Sequence, residues 1–326
     1  MNTHKIEVSS KTIIFTIFFL LALGLLWQIR ELVFSLFIAF IISGSLRPAV
    51  NFLENKRIPR SIAAFVIYTL FVFVIFNVFS LIIPPLVTEI IFLSKSLPTI
   101  IKSTFPDYAN LINFDFLTNN LPGLANQTIN FVKAIFSNVI FVTSTLFFGF
   151  YFLLEKRLVE KMLGNFFDEL EIKRLEIISE RAQTRMSSWF WGEIILMLVV
   201  GTFTYIGLSF IGMKYTLALA VLAGLLEVIP TLGPITSSIP AILIGLSVSP
   251  LLALKNVLVY LVVQQLENNL FVPIIMRKAT GLHPITTLIV MVVGGKLAGV
   301  MGVLLAVPTT IFIETILIES QKFAKK

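Results

Sequence analysis

The sequence predicts an all-α integral membrane protein with about six transmembrane helices and two re-entrant helical hairpins, up to eight hydrophobic segments in all. Composition is the first reason, because 57% of the residues are hydrophobic, only 13% are charged and the mean hydropathy is +0.95. Soluble domains carry roughly 25% charged residues. The second reason is that several apolar runs have the roughly 20 residues that a helix needs to cross the hydrocarbon core. The third is a pair of longer apolar runs, each interrupted near its middle.

Six apolar runs are predicted to cross the membrane as single helices. The first is interpreted as a retained helix and not as a signal peptide, because it is long and lacks a small-x-small cleavage pattern. The six runs are Thr12–Ile29, Leu32–Leu46, Ser61–Ile83, Ala134–Leu154, Ile194–Met213 and Asn256–Ile275. The chain then divides into three N-terminal transmembrane helices (1–83), an extracytoplasmic segment with an amphipathic helix (84–133), a fourth transmembrane helix (134–154), cytoplasmic amphipathic helices (155–188) and a C-terminal region (189–326).

The distribution of basic residues predicts the orientation. Lys and Arg are concentrated in the Arg47–Arg60 loop and in the segment Glu155–Ser188. Cytoplasmic loops carry an excess of basic residues, so these two segments and both chain termini are predicted to be cytoplasmic. Orientation signals between apolar runs therefore account for the net charge of +7. We predict the lipid bilayer as the environment and no nucleic-acid partner.

Residue types exclude most kinds of catalytic and metal site. The chain has no cysteine, which removes disulfides, thiolate metal sites and cysteine nucleophiles. Its two histidines, His4 and His283, lack the spacing of a zinc site or of a Ser-His dyad. All three aspartates lie outside the predicted spans, and no glycine-rich phosphate loop is present. We therefore predict no enzyme activity, no catalytic residue, no cofactor and no metal site.

The first interrupted run is Tyr215–Leu246, which contains the sequence EVIPTLGP at Glu227–Pro234. As one helix its 32 residues would be about 48 Å long, far more than a bilayer requires. Proline ends helices and glycine permits a reversal of the chain. We therefore predict a re-entrant hairpin near 215–247 with its tip near the membrane centre. One long kinked helix, or two short spans, is the alternative.

The second interrupted run is Ile285–Ile313, whose one charge, Lys296, directly follows Gly294 and Gly295. A Gly-Gly-Lys break in the middle of a long apolar run suits a second hairpin tip, which we predict near 285–313. The alternative is a single tilted helix, since Gly295 and Gly299 have the small-xxx-small spacing of a close-packing face.

A polar segment with the sequence VQQLENNLFVP, Val263–Pro273, lies between the two interrupted runs. On a helix, Gln264, Glu267 and Asn268 would share one face. Such a face at the end of an apolar helix must meet water, another polar group or a ligand. Ordinary capping of a span at the membrane interface is the alternative.

Ionisable residues within membrane spans are costly and usually mark pathways or binding partners. Glu227, Glu267 and Lys296 are the main candidates here. A buried ion pair between Glu227 and Lys296, joining the two hairpin tips, is one possible arrangement. Glu193 and Glu314 are weaker candidates, because they lie near predicted membrane boundaries.

Several motifs together resemble those of the autoinducer-2 exporter family of bacterial membrane proteins. They are EVIPTLGP, QQLENNLFVPIIMRKATGLHP and GGKLAGVMGVLLAVP, preceded by PPLVTEI and FFGFYFLLEKRL. The resemblance covers essentially the whole chain and is densest from Trp189 onwards. It implies a multi-pass protein of the bacterial inner (plasma) membrane that forms homo-oligomers, as pentamers, with an elevator-like movement of each protomer.

The resemblance also implies where a transport site lies. The candidate substrate-binding or ion-coupling residues are Glu227, Pro230, Thr231, Gly233, Pro234, Gln264, Gln265, Glu267, Asn268, Gly294, Gly295 and Lys296. Most of them match family motifs, whereas Lys296 has no fixed family role. The GLHP element adds Gly281, His283 and Pro284.

Three functions are compatible with these features. The leading one is secondary export of a small polar molecule, with autoinducer-2, a quorum-sensing signal, as the candidate cargo. The second is sodium or lithium/proton antiport, in which Glu227 or Glu267 alternately binds a proton and a cation. The third is an oligomeric membrane scaffold without transport, in which the polar residues only tie helices together.

Overall fold

The computed structural model describes residues 10–78, 80, 84, 138–229, 232–279, 282 and 284–324. These residues are almost entirely helical and include no strand, which confirms the all-α prediction. Within them, five helices are long and apolar enough to cross a membrane, judged by length and composition. The amphipathic helix predicted within 84–133 lies outside the described residues, apart from Pro84.

The helices are numbered in chain order. They are α1 (Ser10–Gln28), α2 (Arg30–Asn55), α3 (Arg60–Val78), α4 (Val139–Leu154), α5 (Leu158–Leu163), α6 (Glu169–Phe210), α7 (Thr216–Leu226), α8 (Leu232–Val248), α9 (Pro250–Leu266), a π-helical turn (Glu267–Phe271), α10 (Val272–Ala279) and α11 (Pro284–Ala324). The first four correspond to the first four predicted spans, although α2 extends well beyond its predicted end.

An N-terminal bundle is formed by α2, α3 and α4. Its centre is apolar, with Val50, Ala64 and Leu153 fully buried against one another. Arg60, at the start of α3, donates hydrogen bonds of 2.8 Å to the carbonyls of Leu153 and Leu154. The last carbonyls of a helix have no partner within that helix, and a basic side chain satisfies them well. The end of α4 is therefore fixed to the start of α3.

The longest unbroken helix in the described residues is α6. Asp168 and Glu171 form a capping box at its start, and its 42 residues extend about 63 Å. The boundary that we predicted at residue 188 therefore falls inside a continuous helix. A helix of this length reaches far beyond a bilayer core of about 30 Å. The cytoplasmic location of its first half stays a prediction.

Two apolar clusters show that α6 connects the N-terminal bundle to the C-terminal half. Towards its middle, Met186 and Trp189 pack with Ile41 of α2 and Ile311 of α11. At its far end, Leu208 of α6 belongs to a second apolar cluster, which also contains residues of α7, α8 and α9. Because α6 touches both halves, it positions the two interrupted segments relative to α2.

The first interrupted segment folds back on itself at the predicted place. Helix α7 ends at Leu226 and α8 begins at Leu232. A Cβ built on Gly233 would lie 2.0 Å from the carbonyl oxygen of Leu226, whereas seven residues of straight helix span about 10 Å. The chain therefore reverses between α7 and α8. The structure contradicts one long kinked helix at this point.

The second interrupted segment also reverses, within α11. Ala298 and Gly299 have non-helical backbone angles, and Gly299 has φ +60° and ψ −139°, a region open essentially to glycine alone. A Cβ on Gly294 would lie 3.4 Å from the Cβ of Ala306, although twelve residues of straight helix span about 18 Å. A single tilted helix is therefore contradicted.

The details of this second reversal differ from our expectation in two ways. The turn lies at Ala298–Gly299 and not at the Gly-Gly-Lys sequence. Gly294 instead provides close contact between the arms, since a Cβ there would lie 2.3 Å from the carbonyl oxygen of Gly302. The second arm is one helix as far as Ala324, well past the predicted end at Ile313. We refer to 284–297 and 300–324 as the two arms of α11.

Candidate functional site

Three glutamates are brought together where α6, α7 and the π-helical turn meet. Glu193 lies in the middle of α6, Glu227 directly follows α7, and Glu267 begins the π-helical turn after α9. Their exposed fractions are only 4%, 0% and 2%. The carboxyl groups of Glu227 and Glu267 face each other, and Glu193 lies close enough to interact electrostatically with both. We call these three residues the glutamate cluster.

Small residues on α6 and α7 explain why the first two carboxyl groups approach. A Cβ on Gly224 would lie 2.5 Å from the carbonyl oxygen of Met197, and a Cβ on Gly201 would lie 3.6 Å from the Cα of Gly224. Glycine pairs of this kind allow helix backbones to touch. Glu193 is one turn before Met197 and Glu227 is three residues after Gly224. The contact between the glycines therefore fixes the position along α6 and α7 at which the two carboxyl groups meet.

The carboxyl oxygens of the glutamate cluster outnumber the hydrogen-bond donors around them. Both oxygens of Glu227, one oxygen of Glu267 and one of Glu193 are buried without a hydrogen-bond partner. The ion pairs in the described part of the chain all involve other glutamates. A buried carboxylate without a cation or donor is strongly destabilising, and two facing carboxylates add repulsion. The cluster therefore requires a compensating positive charge, which a bound proton or a cation supplies.

The geometry of the cluster suits protons better than a metal ion. Within the described residues, no three carboxyl or imidazole groups converge closely enough to hold a metal. Gln264 lies beside Glu267, so an amide is also at hand. Carboxyl groups that face each other in pairs share protons readily.

Glu267 is the first residue of the π-helical turn. A π-helical turn inserts an extra residue and often marks a functional site. Glu267 and Phe271 are buried at the two ends of this turn, while Asn268 is exposed. The face that we predicted for Gln264, Glu267 and Asn268 is therefore divided. Glu267 and Asn268 are consecutive residues, and neighbouring side chains on a helix point roughly 100° apart, so only one of them faces the interior.

The remaining predicted site residues have different environments. Pro234 is buried in the first turn of α8 and Gly233 packs against α7, whereas Pro230 and Thr231 lie outside the described residues, as do Gly281 and His283. Gln264 is half-buried, and Gln265 is exposed, where its side chain accepts a hydrogen bond of 2.9 Å from Asn269. Gly294 and Gly295 face the second arm of α11.

The predicted ion pair between Glu227 and Lys296 is wrong. Lys296 is exposed, one turn before the reversal of α11, and forms none of the ion pairs in the described residues. A flexible ammonium next to the turn reaches solvent or lipid headgroups more easily than the interior. Glu227 instead faces the two other carboxyl groups of the cluster.

Glu193 is more deeply buried than its place in the sequence suggested. Its position close to a predicted membrane boundary suggested an interfacial residue. The useful signal is its spacing on α6, because Leu196 and Val200 follow it on the same helical face and are 1% exposed. A carboxylate on the buried face of a helix lies in the protein interior, whatever its depth in the membrane.

Comparisons with known proteins agree with this architecture. The chain matches the description "AI-2E family transporter" over residues 13–322. The chain belongs to the AI-2E transporter family. "Putative transport protein YueF" of Bacillus subtilis (strain 168) is 27% identical over 310 residues, covering 86% of this chain and 82% of that protein. "Putative permease PerM" of Escherichia coli (strain K12) is 28% identical over 137 residues, covering 41% of this chain and 38% of that protein.

The AI-2E family assignment confirms the resemblance drawn from the motifs. A second relative, "Putative transport protein YrrI" of Bacillus subtilis (strain 168), is 24% identical over 327 residues, covering 94% of this chain and 93% of that protein. Together with the apolar helices, the family makes this chain a multi-pass membrane protein and a member of a transporter family. Its cargo and its mechanism are separate questions.

Proposed function

We propose that this AI-2E family member is a proton-coupled secondary transporter, and not an enzyme or a scaffold, in which the glutamate cluster binds and releases the coupling proton. The observation that supports this most directly is the burial of Glu193, Glu227 and Glu267 together, with unpartnered oxygens on each. Structural carboxylates inside helical bundles are normally paired with basic residues. A scaffold would gain nothing from three acids that oppose one another.

The two chain reversals give the cluster access to both sides in this proposal. The tip of the first hairpin carries Glu227, and Ile229 close behind it packs against the apolar cluster that includes α11. Broken helices that meet inside a membrane protein build the sites of many secondary transporters. We infer that both hairpins are re-entrant and that an elevator-like displacement moves them relative to the bundle of α2, α3 and α4.

The family description favours export of a small polar molecule, with autoinducer-2 as the candidate cargo. Protons would then enter as the molecule leaves. Exchange of sodium or lithium for protons uses the same cluster, and it is the second candidate because a buried carboxyl oxygen without a partner can take a small cation in place of a proton. Both candidates require the cluster to lose and regain a proton in each cycle.

A transport assay in sealed proteoliposomes tests the proposal. Addition of sodium, lithium or autoinducer-2 to one side should change the internal pH in vesicles that hold the wild-type protein. Glu227→Gln should abolish this change, because an amide cannot carry the proton while its shape is nearly the same. Glu176→Gln is the matched control, since Glu176 also lies on α6 outside the cluster. A wild-type pH signal that persists in Glu193→Gln, Glu227→Gln and Glu267→Gln proteins would exclude the cluster as the coupling site.

The remaining expectations about the assembly also belong to this proposal. We propose a homo-oligomer, a pentamer by family resemblance, in the bacterial inner membrane with both termini cytoplasmic. Many large apolar side chains on the outer faces are exposed, including Phe18 at 72% and Phe76 at 64%, which suits contact with lipid or with further copies. Native mass spectrometry of the detergent-solubilised protein measures the copy number, and reporter fusions at each end measure the orientation.

A further inference from the structure

Polar side chains continue beyond the glutamate cluster along the buried face of α9. Asn256, Tyr260, Gln264 and Glu267 follow one another at spacings of four, four and three residues, which places them on one helical face. Asn256 is 0% exposed and Tyr260 is 7% exposed. The opposite face of α9 is apolar and open, with Leu254, Leu258 and Leu261 more than half exposed. The polar face therefore points into the protein.

Neighbouring helices add polar groups to this face. The Tyr260 hydroxyl lies beside Ser237 of α8, which is fully buried. The Asn256 amide nitrogen donates a hydrogen bond of 2.8 Å to the carbonyl oxygen of Ala241 and contacts the sulfur of Met213 at 3.4 Å. Thr204 of α6 is 0% exposed and lies on the same helical face as Val200 and Leu208, which share apolar clusters with Val263 and Tyr260 of α9.

Two of these groups have buried oxygens with no partner in the described part of the chain, the Asn256 side-chain oxygen and the Thr204 hydroxyl. The Tyr260 hydroxyl has only Ser237 beside it. Each unsatisfied buried polar group costs about 1–3 kcal/mol. Proteins satisfy such groups with ordered water, which bridges polar atoms on facing helices. Several orphan oxygens along one face therefore indicate a row of water sites.

This row of polar groups extends along α9 from the glutamate cluster to the end of the helix near Met213. Glu267 lies eleven positions after Asn256, a distance of about 16 Å along the helix, or roughly half the hydrocarbon thickness. At the far end, Asn256 meets Met213, and Lys214 next to it is exposed. The sequence predicts that end to be extracytoplasmic.

We propose that Gln264, Tyr260, Ser237, Thr204 and Asn256 line a hydrated path by which protons travel between the glutamate cluster and the end of the protein at Met213. Its use by protons rests on the proposed coupling function, whereas its hydration does not. Hydroxyl and amide groups hold a chain of water molecules in place by hydrogen bonds, and protons pass along the water chain, so the path needs no further acid. Buried apolar side chains at the level of Gln264, namely Leu196, Val200 and Val263, narrow it next to the cluster.

Single cysteines test the hydration, because the native chain has none. Ser237→Cys and Thr204→Cys proteins in sealed vesicles are treated with a small, charged, membrane-impermeant thiosulfonate. Ala64→Cys is the matched control, since Ala64 is equally buried but surrounded by apolar residues of the N-terminal bundle. We expect both path cysteines to react at least tenfold faster than the control. If both path cysteines react as slowly as the control in folded protein, the interior here is dry and the path does not exist.

A second measurement tests whether protons use the path. Tyr260→Phe removes one hydroxyl, and Tyr205→Phe is its control, because Tyr205 is 45% exposed on α6. In the transport assay we expect Tyr260→Phe to slow proton flux at least fivefold without changing the cargo concentration at half-maximal rate. An unchanged rate alongside an inactive Glu227→Gln would overturn the proton path and leave the coupling function standing. If the path cysteines react but Glu227→Gln is fully active, the path is hydrated and the proposed coupling function is wrong. The use of this hydrated path by protons is then wrong as well.

Discussion

The tip of the first hairpin offers the sharpest quantitative prediction. In Gly233→Ala, the new Cβ would lie 2.0 Å from the carbonyl oxygen and 2.5 Å from the carbonyl carbon of Leu226, and 2.9 Å from the amide nitrogen of Glu227. These are backbone atoms, which cannot rotate away. Ordinary contact begins at 3.4 Å, so the two segments must separate by about 1.4 Å. The substitution therefore moves Glu227 itself relative to Glu193 and Glu267.

Two measurements follow from this displacement. Overpacking of this kind costs about 1–3 kcal/mol, which corresponds to a melting temperature lowered by about 2–6 °C in a chain of this size. Transport should fall more than stability, because the carboxyl group that carries the proton is displaced, and we expect at least a tenfold loss of the pH signal. Thermal unfolding in detergent and the proteoliposome assay provide the two readings.

A matched glycine serves as the control for this prediction. Gly24 lies inside α1, and a Cβ there would have no heavy atom within 4 Å. Alanine is the better helix former by about 0.5–1 kcal/mol, so Gly24→Ala should be neutral or slightly stabilising. If Gly233→Ala retained both the melting temperature and the pH signal of the wild type, the reversal between α7 and α8 would not be packed as described.

Three further predictions concern other parts of the fold. Gly302→Ala should abolish transport and lower the melting temperature, because its Cβ would lie 1.9 Å from the carbonyl oxygen of Gly294; retained activity would contradict the second reversal. Arg60→Lys should lower the melting temperature by several degrees, since the single nitrogen of an ammonium does not reproduce the two guanidinium nitrogens that bond the two carbonyls at the end of α4, and an unchanged value would refute that capping role. Lys161 donates a hydrogen bond that holds the pKa of Glu155 below its ordinary value, so this pair contributes stability that is present at neutral pH and lost as the pH falls through that lowered pKa. The melting temperatures of Lys161→Met and wild-type protein should therefore converge as the pH falls below the ordinary carboxyl pKa of about 4, and a constant difference would count against the pair.

Length and composition were sufficient to predict the membrane class and the two reversals. The interruption at EVIPTLGP lies within a run too long for one span, and proline with glycine leaves the chain few ways to continue. For the same reason the chain reverses at this interruption, between α7 and α8, and its re-entrant position in the membrane stays a proposal. The second tip was placed several residues too early, because Gly294 and Gly295 look like a turn in the sequence. Only the packing of the two arms of α11 shows that Gly294 allows the arms to touch and that the chain turns at Gly299.

The glutamate cluster could be predicted only in part. Glu227 and Glu267 are conspicuous in apolar surroundings, since charged residues there require a reason. Their mutual approach depends on how the helices cross, as α6 and α7 do at Gly201 and Gly224, and helical periodicity does not predict such crossings. The same crossing brings in Glu193.

The sequence by itself determined that this chain is helical, membrane-embedded, twice interrupted and free of cysteine chemistry, because hydropathy, proline, glycine and residue counts act locally. Tertiary structure alone decided the partners of its polar groups. Glu227 faces two acids and not Lys296, because the handedness and depth of helix crossings place side chains that are far apart in the chain. Local rules carry no information about such contacts between distant segments, and the proposed chemistry of this protein depends on them.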